Sequence, residues 1–149
     1  MEERFKIFTV LIANISRSIR RIKTEEMAEF NLKSPHVSCL YYLYKANSLT
    51  SKELCDICEE DKANISRSIK HLEENGYITC SPKTQKRYQT PLELTEKGRE
   101  VGRQIAEKID NVLELASEGL SEENRKIFYQ SLALISGNLQ KICERYGEE

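Results

Sequence analysis

Between Thr50 and Gly98 the chain carries two helix starts, a helix stop, a polar turn and a returning apolar strand, and that order leaves few folds open. Thr50 and Glu53 have the Ser/Thr-x-x-Glu spacing of a capping box, in which each side chain satisfies the other residue's free backbone N–H. A helix is predicted to start there, ahead of the apolar positions Leu54, Cys55, Ile57 and Cys58. After the acidic run Glu59-Glu60-Asp61, Asp61 can cap a second helix, in which Ile65, Ile69 and Leu72 recur at i, i+4 and i+7 and share one buried stripe. Gly76 supplies a left-handed stop, and Tyr77, Ile78 and Thr79 are good strand formers. The run Ser81-Pro82-Lys83-Thr84-Gln85-Lys86-Arg87 reads as a polar turn carrying three cations. Tyr88 to Leu94 then returns as a strand, and Pro91, which has no N–H to give a ladder, predicts an edge position for it.

Helix, helix, hairpin and a further helix outline a winged helix-turn-helix, a mainly α fold with a small β-wing. With Ile65, Ile69 and Leu72 turned inward, Ala63, Arg67 and Lys70 point away from the core, and Asn64, Ser66 and His71 lie on the flanks of that outward face. Short side chains permit close approach to a major groove, polar ones can read base edges, and Arg and Lys can meet guanine or phosphate. A cationic helix face alone is only a solvated face, and a basic hairpin alone is only soluble. The two in this order point to double-stranded DNA as the partner, with Asn64, Ser66, Arg67 and Lys70 on the reading helix and Lys83, Lys86 and Arg87 on the wing. The net charge of −1 is poor for such a role, but the charge is unevenly placed. Residues 50–61 hold one cation against five acids, whereas residues 62–90 hold six cations against two acids, so the basic footprint coincides with the helix and wing.

From Leu54 to Gly98, above all in Ile65-x-x-x-Ile69-x-x-Leu72-Glu73-x-x-Gly76-Tyr77-Ile78 and Leu94-Thr95-Glu96-Lys97-Gly98, the sequence resembles the multiple antibiotic resistance regulator (MarR) family. The family pattern of a long N-terminal helix, a central winged helix and two C-terminal helices fits the flanks too. The resemblance implies a homodimeric transcription regulator whose DNA affinity commonly falls when a small molecule binds or a cysteine is oxidised. Members commonly carry Asp-x-Arg at the wing tip, the acid buttressing a minor-groove arginine. Here Gln85-Lys86-Arg87-Tyr88 stands in that place with no acid, which leaves Arg87 as the minor-groove candidate. The segment from Ser34 to Tyr44, predicted as a helix with Ser34 at its N-cap and Pro35 at its first position, is apolar almost all round and belongs in the middle of the molecule. In the family the junction between terminal helices and DNA-reading unit forms the effector pocket, so His36, Cys39 and Tyr42, with Ile12 and Ile15, are pocket candidates. An ordinary aromatic core is the other reading of the same residues.

The chain ends carry a separate message. Phe5, Phe8, Ile12, Ile15, Ile19 and Ile22 alternate in steps of three and four, as do Phe128, Leu132, Ile135, Leu139 and Ile142. Both are seams of the kind that pack helix on helix. Val101, Ile105, Ile109, Val112 and Ala116 mark a further amphipathic helix that begins near Thr95 and breaks around Gly119, after which Ser121 can cap the last helix. Two seams from opposite ends exceed what one small domain needs, and a symmetric dimer would place two reading helices about 34 Å apart on a pseudo-palindrome. The expected organisation is one domain over residues 1–149, with dimerisation helices at 1–30 and 119–149, a winged core at 34–98 and a connecting helix at 95–118.

With 149 residues, 32% of them charged, and no long apolar run, the chain is expected to be cytoplasmic, with neither a membrane span nor a signal-peptide pattern. Its five cysteines, Cys39, Cys55, Cys58, Cys80 and Cys143, are expected to be reduced thiols. Cys55-x-x-Cys58 has no matching second pair, which makes it a weak zinc signal, and packing as small hydrophobes is the leading reading. A thiol- or metal-responsive regulator using that pair, and a winged helix that binds an acidic protein, are the alternatives. The hydroperoxide-sensing branch of the family uses a cysteine in its first helix, and residues 1–30 contain none. Only two histidines are present, with no glycine-rich phosphate loop and no nucleophile-base-acid set, so neither catalysis nor a cofactor is expected. One local oddity is Ala13-Asn-Ile-Ser-Arg-Ser-Ile19, repeated identically as Ala63 to Ile69 with flanks that do not match.

Overall fold

The computed structural model describes residues 2–80 and 89–147. The chain divides into two units, residues 1–110 and 111–149. The first unit opens with α1 (Glu2–Lys6), a π-helical turn (Ile7–Leu11) and α2 (Ile12–Glu26), whose joints keep right-handed helical backbone. A 3-10 turn (Ala28–Phe30) ends at Asn31, which takes the left-handed conformation (φ 55°). Then come α3 (Ser34–Ala46), β1 (Ser48–Thr50), α4 (Ser51–Ile57), α5 (Lys62–Glu74), β2 (Ile78–Cys80), β3 (Pro91–Leu94) and the start of α6 (Glu96–Ala116).

Two expectations need correction. Helix α3 starts one residue early: Ser34 is its first residue, extended Lys33 is the cap, and Pro35 falls at the second helical position. The Lys33 N–H donates to His36 Nδ1 at 3.0 Å and the Ser34 N–H to Thr24 Oγ1 at 3.1 Å, so the free N–H groups of this end find partners without a Ser34 cap. Pro91 lies not on an edge strand but on the central one, because the antiparallel sheet runs β1-β3-β2. It is accommodated as the first residue of β3, opposite Thr50, where a missing N–H costs least. β1 itself was not foreseen from the sequence. Ile57, an apolar position in the sequence pattern, ends α4 exposed.

Helix α3 lies at the centre of this unit, packed against α2, α5, β1 and β3. Val37, Leu40 and Leu43 from it join Leu54, Ile65, Ile69, Leu72, Ile78, Leu92 and Ile105 in one core. Each such side chain contributes ~1.5–3 kcal/mol of burial. At the end of α5, Gly76 at φ 75° lets the Tyr77 N–H reach Leu72 O (2.9 Å) and the Gly76 N–H reach Glu73 O (3.1 Å), a Schellman stop.

The Leu-Thr-Glu-Lys-Gly element explains itself here. Leu94 is buried, and the Thr95 hydroxyl donates to Gly76 O (2.6 Å) while accepting the Gly98 N–H (3.0 Å), so it caps α6 and ties it to the end of α5. Lys97 donates to Asn75 O at 2.8 Å and sits 4.3 Å from the centre of the Tyr77 ring. Gly98 lies so close to the Tyr77 carbonyl that a Cβ would meet its oxygen at 1.8 Å. Leu94, Thr95, Lys97 and Gly98 therefore clamp the end of β3 and the start of α6 to the end of α5.

In the second unit α7 (Glu122–Glu144) is capped by Ser121, whose Oγ accepts the Asn124 N–H at 3.1 Å. Arg125 pairs with Glu114 at 2.9 Å. Phe128, Leu132, Leu139 and Ile142 are exposed on α7. No described helix is long and apolar enough to cross a membrane.

Candidate nucleic-acid interface

Helix α5 is oriented by its own cap. Asp61 Oδ1 accepts the Asn64 N–H at 2.7 Å, starting α5 at Lys62. Ile65, Ile69 and Leu72 are driven inward with Ser68, which leaves Ala63, Ser66, Arg67 and Lys70 exposed and Asn64 half-buried at the edge. Lys70 lies 4.0 Å from Glu74, an exposed helical pair that leaves it available to a phosphate. Asn64, Ser66, Arg67 and Lys70 thus lie on one helix with their alternates in the core. Lys83, Lys86 and Arg87 lie outside the described residues.

Behind this face sits a set of charges that sequence reasoning missed. The Glu60 side chain is only 3% exposed, and its two oxygens are both engaged, Oε1 by Arg20 of α2 and Oε2 by Asn64 Nδ2 at 3.1 Å. Asn64 Oδ1 in turn accepts a hydrogen bond from Arg67. Next to it, buried Lys23 pairs with Glu59, and Ser38 lies between them, accepting from Lys23 at 2.7 Å and donating to Glu59 at 2.6 Å. Burial pushes the Glu59 carboxyl up, but the hydrogen bonds from Lys23 and Ser38 outweigh it and hold the group at about 2. The sequence signal was there as two cations three apart in α2 and two consecutive acids before the cap. Nothing local said that they meet.

The pocket candidates separate. Cys39 is fully buried, and Tyr42 is half-buried with its phenol raised by burial and by the nearby Glu59. His36 turns to α5 instead, stacking on His71 with ring centres 4.2 Å apart. Burial first, then His71 and Lys33, lowers it to about 4, so it is neutral at pH 7. Ile12 and Ile15 are exposed on α2. Burial raises the Cys58 thiol to about 11, and the Cys39 and Cys55 thiols are also raised, so these are protonated, unreactive thiols at neutral pH. Among the described residues no group of three His, Cys, Asp or Glu side chains is disposed to hold a metal.

A family model described as "Winged helix DNA-binding domain" matches residues 36–113, more than half of the chain. The chain belongs to this winged helix family. Over 86% of its length the winged helix chain is similar to a putative MarR family transcriptional regulator from Listeria monocytogenes solved with a 26mer DNA, at 26% identity, 85% coverage of that chain and a TM-score of 0.79. It shares the fold of S. aureus MepR in a DNA complex, with 19% identity, coverage of 89% and 97% and a TM-score of 0.77. A Bacillus subtilis protein named as an uncharacterized HTH-type transcriptional regulator, YybA, is 24% identical over 89% of both chains. The MarR resemblance drawn from the sequence is thereby shown, in fold and in relatives, and those relatives are regulators rather than enzymes.

Proposed function

We propose that the chain is a sequence-specific transcriptional regulator of the cytoplasm that binds a pseudo-palindromic operator as a homodimer and represses by occluding a promoter. The observation that carries this reading is the polar and cationic face of α5, exposed while the same helix's apolar stripe is locked in the core. Asn64, Ser66, Arg67 and Lys70 enter the major groove. Lys83, Lys86 and Arg87 grip backbone and minor groove from the wing. Support for the dimer comes from the apolar side chains that each unit leaves in water: Phe5, Phe8, Ile12, Ile15 and Ile19 in one, Phe128, Leu132, Leu139 and Ile142 in the other. Residues 1–30 and 119–149 then act as dimerisation segments, 34–98 as the DNA-reading core and 95–118 as the connection. A small-molecule effector releases the DNA, bound beside half-buried Tyr42 of α3, since His36 stacks on His71 and Cys39 is closed in the core.

The test is fluorescence anisotropy with DNA from upstream of the protein's own gene, against scrambled DNA, for wild type and Arg67→Ala. Tight binding to the first DNA alone, weakened about tenfold in the variant, is the expected result. Equally weak binding to both sinks the operator assignment. With about three cations per protomer on phosphates, log K against log salt should fall with a slope near −5.

A further inference from the structure

Asn64 is held between two neighbours of opposite character. Glu60 can only accept and takes an Nδ2 proton, whereas Arg67 can only donate and takes an Oδ1 lone pair. An amide in that position has one permitted orientation, because turning it over would set donor against donor and acceptor against acceptor. It keeps one N–H and one lone pair free, the pair of valences that meets N7 and N6 of adenine. Glu60 can hold this place only because its buried carboxylate is paired with Arg20, which comes from a different helix.

We propose that Glu60 and Arg20 are positioning residues for base reading: they fix the polarity of the Asn64 amide and so make it selective for adenine at one base pair in each half-site. This rests on the reading of α5 as the base-reading helix. The relay is specific to α5, since Asn14 in the identical heptapeptide of α2 receives the same arginine contact, Arg17 at 3.3 Å, but has Val10 where Asn64 has Glu60. Replacing Glu60 by Gln keeps its shape but gives it N–H groups. The new amide can donate to Asn64, which then turns over and loses Arg67.

The experiment is selection from a randomised DNA duplex library, followed by sequencing, with wild type, Asn64→Ala, Glu60→Gln, Arg20→Gln and Arg20→Lys. Wild type should enrich a motif in which one position prefers adenine about tenfold, a preference that Asn64→Ala removes. Glu60→Gln should flatten that position and no other. Combining Glu60→Gln with Asn64→Ala should add nothing to Asn64→Ala alone. Arg20 is half exposed, so Arg20→Gln carries the test should Glu60→Gln fail to fold, and Arg20→Lys should restore the preference. A motif that Glu60→Gln and Arg20→Gln leave intact, or flatten equally at every position, overturns the relay alone. A wild type that enriches no motif, or an Asn64→Ala variant that changes none, overturns the assignment of α5 as well.

Discussion

The same seven residues, Ala-Asn-Ile-Ser-Arg-Ser-Ile, occur in α2 and in α5, and their fates differ. Both copies are helical, and in both the arginine donates to the asparagine three residues before it. Yet Ile65 and Ile69 are 0% and 4% exposed, whereas Ile15 and Ile19 are 54% and 40% exposed. The difference lies outside the heptapeptide. Glu59, Glu60 and Asp61 precede the second copy, so it begins a helix, with a cap and an anchored asparagine. The first copy follows Thr9, Val10 and Leu11 and lies inside a continuing helix. Seven residues set the local conformation and even a side-chain contact. What the apolar stripe packs against is decided elsewhere.

Substitution at matched positions sharpens the contrast. Ile65→Ala should destabilise the chain by ~3 kcal/mol, read from urea unfolding, since it opens a cavity in a closed core. Ile15→Ala should leave unfolding of the monomeric chain almost unchanged and instead weaken self-association in sedimentation equilibrium. Equal losses in the two variants would contradict the assignment of the first copy to an interface. Next in size, Arg67→Ala should lower affinity for a selected duplex about tenfold, while Arg17→Ala leaves it unchanged. Should Arg17→Ala weaken DNA binding as much, α2 rather than α5 would be the element to re-examine. At the start of the copies, Asp61→Ala removes the cap of α5 and should cost ~1 kcal/mol. Leu11→Ala, at the equivalent position, removes no cap, and its unfolding midpoint at low protein concentration should stay put.

The smallest effect is on pH. Glu59 is held near 2 against an ordinary value of 4.5, so the stability it gives is present above about pH 4.5 and is lost as the pH falls toward 2. His36, lowered from 6.5 to about 4, favours the neutral fold: its contribution is full above pH 6.5 and declines as the pH falls to about 4. Melting temperatures between pH 7 and 3 should therefore drop less steeply in His36→Phe through the upper part of that range and in Ser38→Ala through the lower. Parallel curves for all three proteins would show that neither group is coupled to folding.

What could be read from the sequence was what is decided within one helical turn or one hairpin. Thr50 with Glu53, Asp61, Gly76 and Ser121 stop or start helices through bonds to residues at most a few places away, and each does so in the structure. The inward stripe Ile65, Ile69 and Leu72 was equally plain, because a helical period exposes it. The failures were non-local. Arg20 and Glu60 are 40 residues apart, and no periodicity links them. Three residues, Ser48-Leu49-Thr50, are too few to show an alternation, and the last already serves as a helix cap, so β1 stayed hidden. Pro91 misled because strand order, not the residue, decides what is an edge.

That strand order also dictates a sequence of events. β1 and β2 are the outer strands and β3 is the middle one, so neither of the first two to be synthesised has a partner until Leu92 and Leu94 arrive. A nascent chain that has reached Cys80 can form α3, α4 and α5 and bury Ile65 beneath them, yet it owns two orphan strands. Both pairings of the sheet therefore wait for the same four residues, Pro91–Leu94. On a ribosome, a pause before residue 94 would hold the helices made so far with the sheet still open.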